Sequence, residues 1–394
     1  MKSMGRRLAG TAAIGAMVVA LTAGTIGGAQ AATVAAPNAA ALRASIAGYP
    51  NEEITSAVAL VGGTGGHWSG TSGTGDPATG RPVKADGRFR IGSISKVFTA
   101  TVLLQLAAEH RVDLDGTVQQ YLPHTLPDGY PDVTVRQLLN HTSGLPTGGD
   151  LGGDDGGEAW FAAHPGEHWS PQEVVAEAMT HPKEFMPGTA QEYNGTNYFV
   201  AGLVIEKVTG RSFAQEVTDR ILRPVGLHHT SVPAADDTAL PDPTAHAVLA
   251  VPRPDGGTTL ADVTRQSPWP WAEGGMISTA PDLERFFSAL LHGELLPPAQ
   301  QAELFAVPDV PNFRNHNCPG DHACFSTALM RFSPAPGVEF WGKTGTRPGY
   351  SSGVFGTRDG SRDLVYSFTP TSRFGASFAA QYRVFTAAFD LPTG

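Results

Sequence analysis

Apolar residues are densest directly behind a short segment of small and polar ones. Val97, Phe98, Ala100, Val102, Leu103, Leu104, Leu106 and Ala107 follow Gly92-Ser93-Ile94-Ser95-Lys96. The run is too long for a strand, which predicts a buried helix ending near His110. Upstream, the apolar stretch 54–61, the glycines of 62–66 and His67-Trp68-Ser69-Gly70 read as strand, turn and second strand. Helical spacing recurs over 133–139, 171–179, 197–209, 213–222 and 283–291. Beyond Phe325 the texture changes to strands and tight turns. Val354-Phe355-Gly356 and residues 364–368 flank Arg358-Asp359-Gly360 as a hairpin, and a last helix over 378–389 closes the chain. The Pro/Asp/Thr-rich residues 231–268 read as mostly loop.

Strands thus lie at both ends and helices between them. The economical architecture is a mixed α/β domain assembled from residues 45–112 and 270–392, with a helical insertion domain over 113–269. Ser93 falls at the seam, where binding clefts form.

The first residues change the picture of where the chain works. Met1-Lys2-Ser3-Met4-Gly5-Arg6-Arg7 precede an uncharged stretch to Ile26 and then Ala29-Gln30-Ala31. This predicts a secretory signal peptide, residues 1–31, and a secreted, extracellular protein. A retained anchor is the alternative; the small-residue exit favours cleavage. No later stretch approaches the roughly 20 apolar residues of a membrane span. The formal net charge is −10, or −13 once Lys2, Arg6 and Arg7 are removed, which argues against nucleic acid or anionic lipid as partner. The loop 147–158 carries Asp150, Asp154, Asp155 and Glu158, but its spacing matches no calcium loop and it reads as solvated chain. Cys318 and Cys324, flanked by His316 and His322, could bind zinc; in an oxidising compartment a short-loop disulfide is the simpler outcome.

Candidate chemistry begins at Ser93. Lys96 lies three residues on, on the same helical face, where an amine can take up a serine proton. Only five lysines follow the leader, and a second sits in Trp341-Gly342-Lys343-Thr344-Gly345-Thr346. Between the two motifs comes Tyr193-Asn194-Gly195. Ser-x-x-Lys, a tyrosine element and Lys-Thr-Gly, in that order, suit serine acyl transfer. Gly349-Tyr350-Ser351-Ser352-Gly353 fits Gly-x-Ser-x-Gly, but its flanks read as strand and hairpin where a nucleophile elbow needs strand, turn and helix.

With those motifs in place, the chain resembles the serine β-lactamase and penicillin-recognising hydrolase family. It is most like secreted D-alanyl-D-alanine carboxypeptidases and class C β-lactamases. The likeness runs over residues 54–389 and is plainest in 89–123, 134–146, 198–210 and 267–291. It implies an α+β fold of β-lactamase/DD-peptidase type: an antiparallel sheet flanked by terminal helices, plus an inserted all-helical domain.

By the same resemblance Ser93 would be the acylated nucleophile, with Lys96 or Tyr193 as its base and Lys343 as a cation beside the phenol. The backbone N–H groups of Ser93 and Thr346 would form the oxyanion hole. Thr344 and Thr346, around Gly345, would bind a terminal carboxylate, with Arg331 assisting and Trp269 lining the cleft. His141 would be a structural turn residue. No metal or cofactor is implied, and the expected form is a monomer.

The implied substrate is a small peptide, ester or β-lactam. A peptidoglycan stem peptide ending in D-Ala-D-Ala heads the expectation. The alternatives are an esterase, a D-amino-acid peptidase or amidase, a β-lactamase, or a penicillin- or muropeptide-binding sensor that stays acylated. One departure matters: Gly195 stands where the family has an asparagine that bonds the substrate's amide. Asn194 is one position early and should point elsewhere, and Asn197 is expected to cap a helix. Losing that contact should cost about 1–3 kcal/mol of substrate binding.

Overall fold

The computed structural model describes residues 34–147, 157–314, 318–335 and 337–392. The expected leader, residues 148–156 of the acidic loop, and His316 of the alternative zinc cluster lie outside these.

Alternating apolar positions build a seven-stranded antiparallel sheet. Its order is Arg81–Pro82, Trp68–Asp76, Ile54–Gly62, Asp363–Pro370, Tyr350–Gly356, Val338–Arg347 and Met330–Ala335. Strands from the two ends of the chain meet at its centre, where Ala57 pairs with Phe368 and Leu60 with Val365. Successive side chains leave a strand on opposite faces, and here each face finds its own cover. Ala57, Ala59, Val61, Leu364, Tyr366 and Phe368 pack under the terminal helices Ala39–Ser45 and Phe378–Ala388. Val58, Val354 and Val365 belong instead to the larger core with Phe98, Leu283, Phe286 and Phe287.

That larger core surrounds the helix Ser95–Ala108, which is buried along nearly its whole length. A helix this uniformly apolar has no wet face and must sit inside. It ends at Ala108, with His110 at φ +57° directing the chain away. The helix Thr196–Thr209 packs against it, and Ala280–Leu291 lies across the sheet. Local signals start the shorter helices: Thr134 with Gln137, and Ser170 with Glu173, form reciprocal capping boxes.

Two expectations need correction. The inserted segment is not all-helical, because Val248–Pro252 and Thr258–Asp262, within the mostly loop residues 231–268, pair as an antiparallel hairpin. Asp255-Gly256, with Gly256 at φ +84°, supplies the turn. The neighbouring prolines and threonines hid the alternation. Asn197 does not cap the helix Thr196–Thr209; Asn194 bonds its first residue, accepting from the Thr196 N–H at 2.8 Å. Asn197 is buried and accepts from the Ser143 hydroxyl at 2.5 Å.

Candidate active site

Ser93 lies in a 3-10 turn, Gly92–Ile94, that leads directly into the helix Ser95–Ala108. The turn rests against the edge of the strand Val338–Arg347 beyond the point where that edge is paired. Gly92 makes this possible. It sits at φ +50°, and a β-carbon there would stand 2.6 Å from the Thr346 nitrogen. Only glycine lets the two backbones approach so closely. One helical turn on, the fully buried Lys96 donates from Nζ to the Ser93 hydroxyl at 3.0 Å.

Tyr193 is placed by what surrounds its ring. Lys343 Nζ lies 4.6 Å and Lys96 Nζ 5.1 Å from the ring centroid. His141 and Phe325 pack against the same ring at centroid distances of 4.6 and 5.2 Å. His141 holds a left-handed turn at φ +61° and accepts from the Asn194 N–H. Burial, then the charges of Lys96 and Lys343, hold its imidazole well below its usual range, so it is neutral. Phe325 follows the Cys318–Cys324 disulfide. Gln191 ties this loop to the tyrosine segment, its Oε1 accepting from the N–H groups of Cys324 and Phe325 at 2.9 and 3.0 Å.

A fourth group, which no motif marked, completes the centre. Glu273 lies on the helical turn Trp271–Gly274. Its Oε1 forms an ion pair with Lys96 and is 3.5 Å from the Ser93 Oγ. Its main-chain oxygen accepts from Lys96 Nζ at 3.0 Å. Neighbouring bonds fix the turn on the helix Ser95–Ala108: Thr99 Oγ1 donates to the Ala272 carbonyl at 2.7 Å, and the Met276 N–H donates to Ser95 Oγ at 3.2 Å. Trp271, at φ +46°, lays its ring over Gly202, where a β-carbon would meet ring atoms at 2.6 Å. Glu273 also faces Gly195, whose added β-carbon would lie 3.3 Å from its Oε1.

These contacts divide the protons. Burial pulls Lys96 down, but the Glu273 carboxylate and Tyr193 outweigh it, and the net shift is upward. Burial raises the Tyr193 phenol, but Lys343 and Lys96 outweigh it, and the net shift is downward. Burial, with Lys96 adding to it, lowers Lys343. A serine hydroxyl in contact with an ammonium, beside an acidified phenol and a free strand edge, is arranged for nucleophilic acyl transfer.

The Beta-lactamase family model matches residues 38–385. The chain belongs to the beta-lactamase family. Among solved structures it is similar to a D-stereospecific amidohydrolase from Streptomyces sp., at 34% identity and TM-score 0.75, over 90% of this chain and 99% of that one. It is also similar to the D-amino acid amidase of Ochrobactrum anthropi SV3 complexed with L-phenylalanine amide, at 25% identity and TM-score 0.71, over 89% and 98% of the two chains. Penicillin-binding protein 4* of Bacillus subtilis (strain 168) is 34% identical over 158 residues, 39% of this chain and 32% of that protein. The match therefore spans about a third of that relative's length, and 39% of the length of protein flp of Staphylococcus aureus.

The other residues singled out in this beta-lactamase-family chain divide sharply. Gly345 meets the segment leading into the Ser93 turn: a β-carbon there would collide with the Ile91 carbonyl oxygen at 1.9 Å. Thr344 and Thr346 line a cavity of about 300 Å³ with Phe332, Phe355, Phe378 and Tyr382. Arg331 has Glu339 as its ion-pair partner among the described residues, at 3.8 Å. Trp269 stacks on Phe199 at 6.1 Å between centroids, a packing contact. Ser351 is buried in a central strand and paired on both sides, so it is no nucleophile elbow.

Proposed function

We propose that the protein hydrolyses amides and short peptides of D-amino acids through an acyl-enzyme on Ser93. The observation that carries this reading is the 3.0 Å hydrogen bond from Lys96 to the Ser93 hydroxyl, beside a tyrosine flanked by two ammonium groups. The likeness to the D-stereospecific amidohydrolase over nearly its whole length supports the choice of substrate.

In this mechanism Ser93 Oγ attacks the carbonyl carbon and its proton passes to the Tyr193 phenolate. Lys96, kept protonated by Glu273, holds the serine oxygen in line. The N–H groups of Ser93 and Thr346 receive the developing oxyanion, usually the largest single catalytic contribution. Tyr193 then protonates the leaving amine as the C–N bond breaks. Water, losing a proton to the same phenolate, attacks the ester carbonyl, and Ser93 leaves with that proton. The basic-then-apolar leader and the Cys318–Cys324 disulfide support an exported enzyme.

A D-alanyl-D-alanine carboxypeptidase is the second reading, favoured by the Lys343 ammonium as a receptor for a terminal carboxylate. One panel separates the two: D- and L-phenylalanine p-nitroanilides, a diacetylated Lys-D-Ala-D-Ala peptide and a chromogenic cephalosporin. Turnover of the D-anilide, absent with its L-isomer and with Ser93→Ala, is expected. Release of D-Ala from the peptide without anilide cleavage selects the carboxypeptidase. Undiminished turnover by Ser93→Ala overturns the nucleophile.

A further inference from the structure

We infer that Glu273 is a specificity-determining residue: its carboxylate receives the free α-ammonium of the substrate's acyl residue and so selects aminoacyl compounds over N-acylated ones. This rests on the acyl-enzyme reading above and names the acyl group that the site takes.

The geometry comes from covalent dimensions. In an α-aminoacyl substrate the nitrogen is two bonds from the carbonyl carbon, about 2.5 Å away. A carboxylate whose Oε1 lies 3.5 Å from the attacking Ser93 Oγ therefore flanks the space that this nitrogen enters when the carbonyl meets the nucleophile. Glu273 is the acidic residue in contact with Ser93 among the described residues. Its Oε1 already serves Lys96 and Ser93, whereas no described residue bonds its Oε2, and the side chain keeps 20% of its surface open. One oxygen thus organises the nucleophile while the other remains for a ligand.

Gly195 explains why the carboxylate can occupy this place. A side chain there would begin 3.3 Å from the Glu273 Cγ and Oε1. An asparagine would have offered N–H donors to an acyl carbonyl. The carboxylate now in that space offers only lone pairs. It attracts an ammonium through a charge-assisted bond and repels the carbonyl oxygen of an N-acyl group. The position is built, not incidental. Thr99 and Ser95 anchor the turn to the nucleophile helix, and Gly202 receives the Trp271 ring.

The test compares three p-nitroanilides on the whole chain: D-phenylalanine, N-acetyl-D-phenylalanine and 3-phenylpropionic acid, which lacks the amine. Wild type is expected to prefer the free amine to both others by about a hundredfold or more in kcat/KM, the discrimination available to a buried polar site that rejects a mismatched group. Glu273→Gln lowers kcat on every substrate through its bond to Lys96, a loss that a structural role would also produce. The distinguishing readout is the preference ratio. It should fall at least about tenfold, with KM rising for the free amine alone. Equal cleavage of the acetylated and free compounds by wild type overturns the inference and leaves the hydrolase standing. A ratio retained in Glu273→Gln overturns the assignment to this residue. No cleavage of any D-aminoacyl compound overturns both readings. The wild-type comparison decides the substrate class even if the variant does not fold.

Discussion

Gly195 and Glu273 face each other so closely that a β-carbon on residue 195 would stand 3.3 Å from the carboxylate Oε1, tighter than an ordinary contact. They are 78 residues apart in the chain, yet each decides what the other can be. A side chain at 195 and a carboxylate at 273 compete for the same volume beside Ser93.

Gly195→Asn should displace the carboxylate and supply an amide in its place. Its backbone, at φ −68° and ψ −37°, tolerates any residue, so the effect should be local. The expected outcome is a kcat/KM for free-amine anilides lowered about tenfold or more, with N-acetylated peptides gaining on them. Steady-state kinetics on the two substrate types check it. An unchanged ratio would remove Gly195 from any account of specificity.

Lys343→Met should move the pH profile of kcat/KM. The Lys343 charge is the largest influence lowering the Tyr193 phenol. Activity that depends on the phenolate rises with pH through the phenol's pKa. Without the cation that limb must shift to more alkaline pH, with a loss of roughly a hundredfold at neutral pH from impaired proton transfer. A limb that stays in place argues that Tyr193 is not the base.

Opening the Cys318–Cys324 disulfide should cost both stability and rate. The bridge closes a short loop of sequence separation 6 whose neighbour, Phe325, packs on the Tyr193 ring. Chain entropy assigns such a bridge about 2 kcal/mol. Cys318→Ser with Cys324→Ser should unfold at lower urea and lose kcat more than KM. Retention of full kcat would separate the loop from the tyrosine's position.

Asp363 makes stability fall with rising pH. Its carboxyl is pushed up to about 7, first by burial and then by the Glu284 carboxylate. Unfolded, it titrates near ~4. Between those values the native state holds the proton more tightly, so stability is fullest below the lower one. It is lost progressively as pH climbs to the upper one, by at most about 4 kcal/mol. Urea midpoints at pH 5 and pH 8 should differ less in Asp363→Asn than in the wild type. An equal difference in both proteins would refute this.

Much of the centre was legible because its signals are local. Ser93 and Lys96 share one helical turn, so three-residue spacing suffices to pair them. Lys343-Thr344-Gly345 and Tyr193 were identified by short runs and their order, and the antiparallel sheet followed from the resemblance. Glu273 left no comparable trace. A lone glutamate in Trp-Ala-Glu-Gly-Gly resembles any surface turn, and the residues it meets lie 177 and 180 positions away. The prolines and tryptophans just before it were the available hint of a constrained segment. Arg331, a loose match, is paired with Glu339, a contact that its sequence context did not signal. Asn197 lost its expected capping place because capping depends on where the helix begins, and it begins one residue earlier than the periodicity suggested.

Patterns of neighbouring residues by themselves determined the buried helix behind Ser93, the main strands of the sheet and the candidate chemistry, since each is written within a turn or a strand. Tertiary structure alone decided that a carboxylate fills the space beside a glycine, and that Lys96 is shifted up while Tyr193 is shifted down. Those properties follow from charges held a few ångströms apart in a buried place. Distances of that kind exist only after remote parts of the chain have packed together.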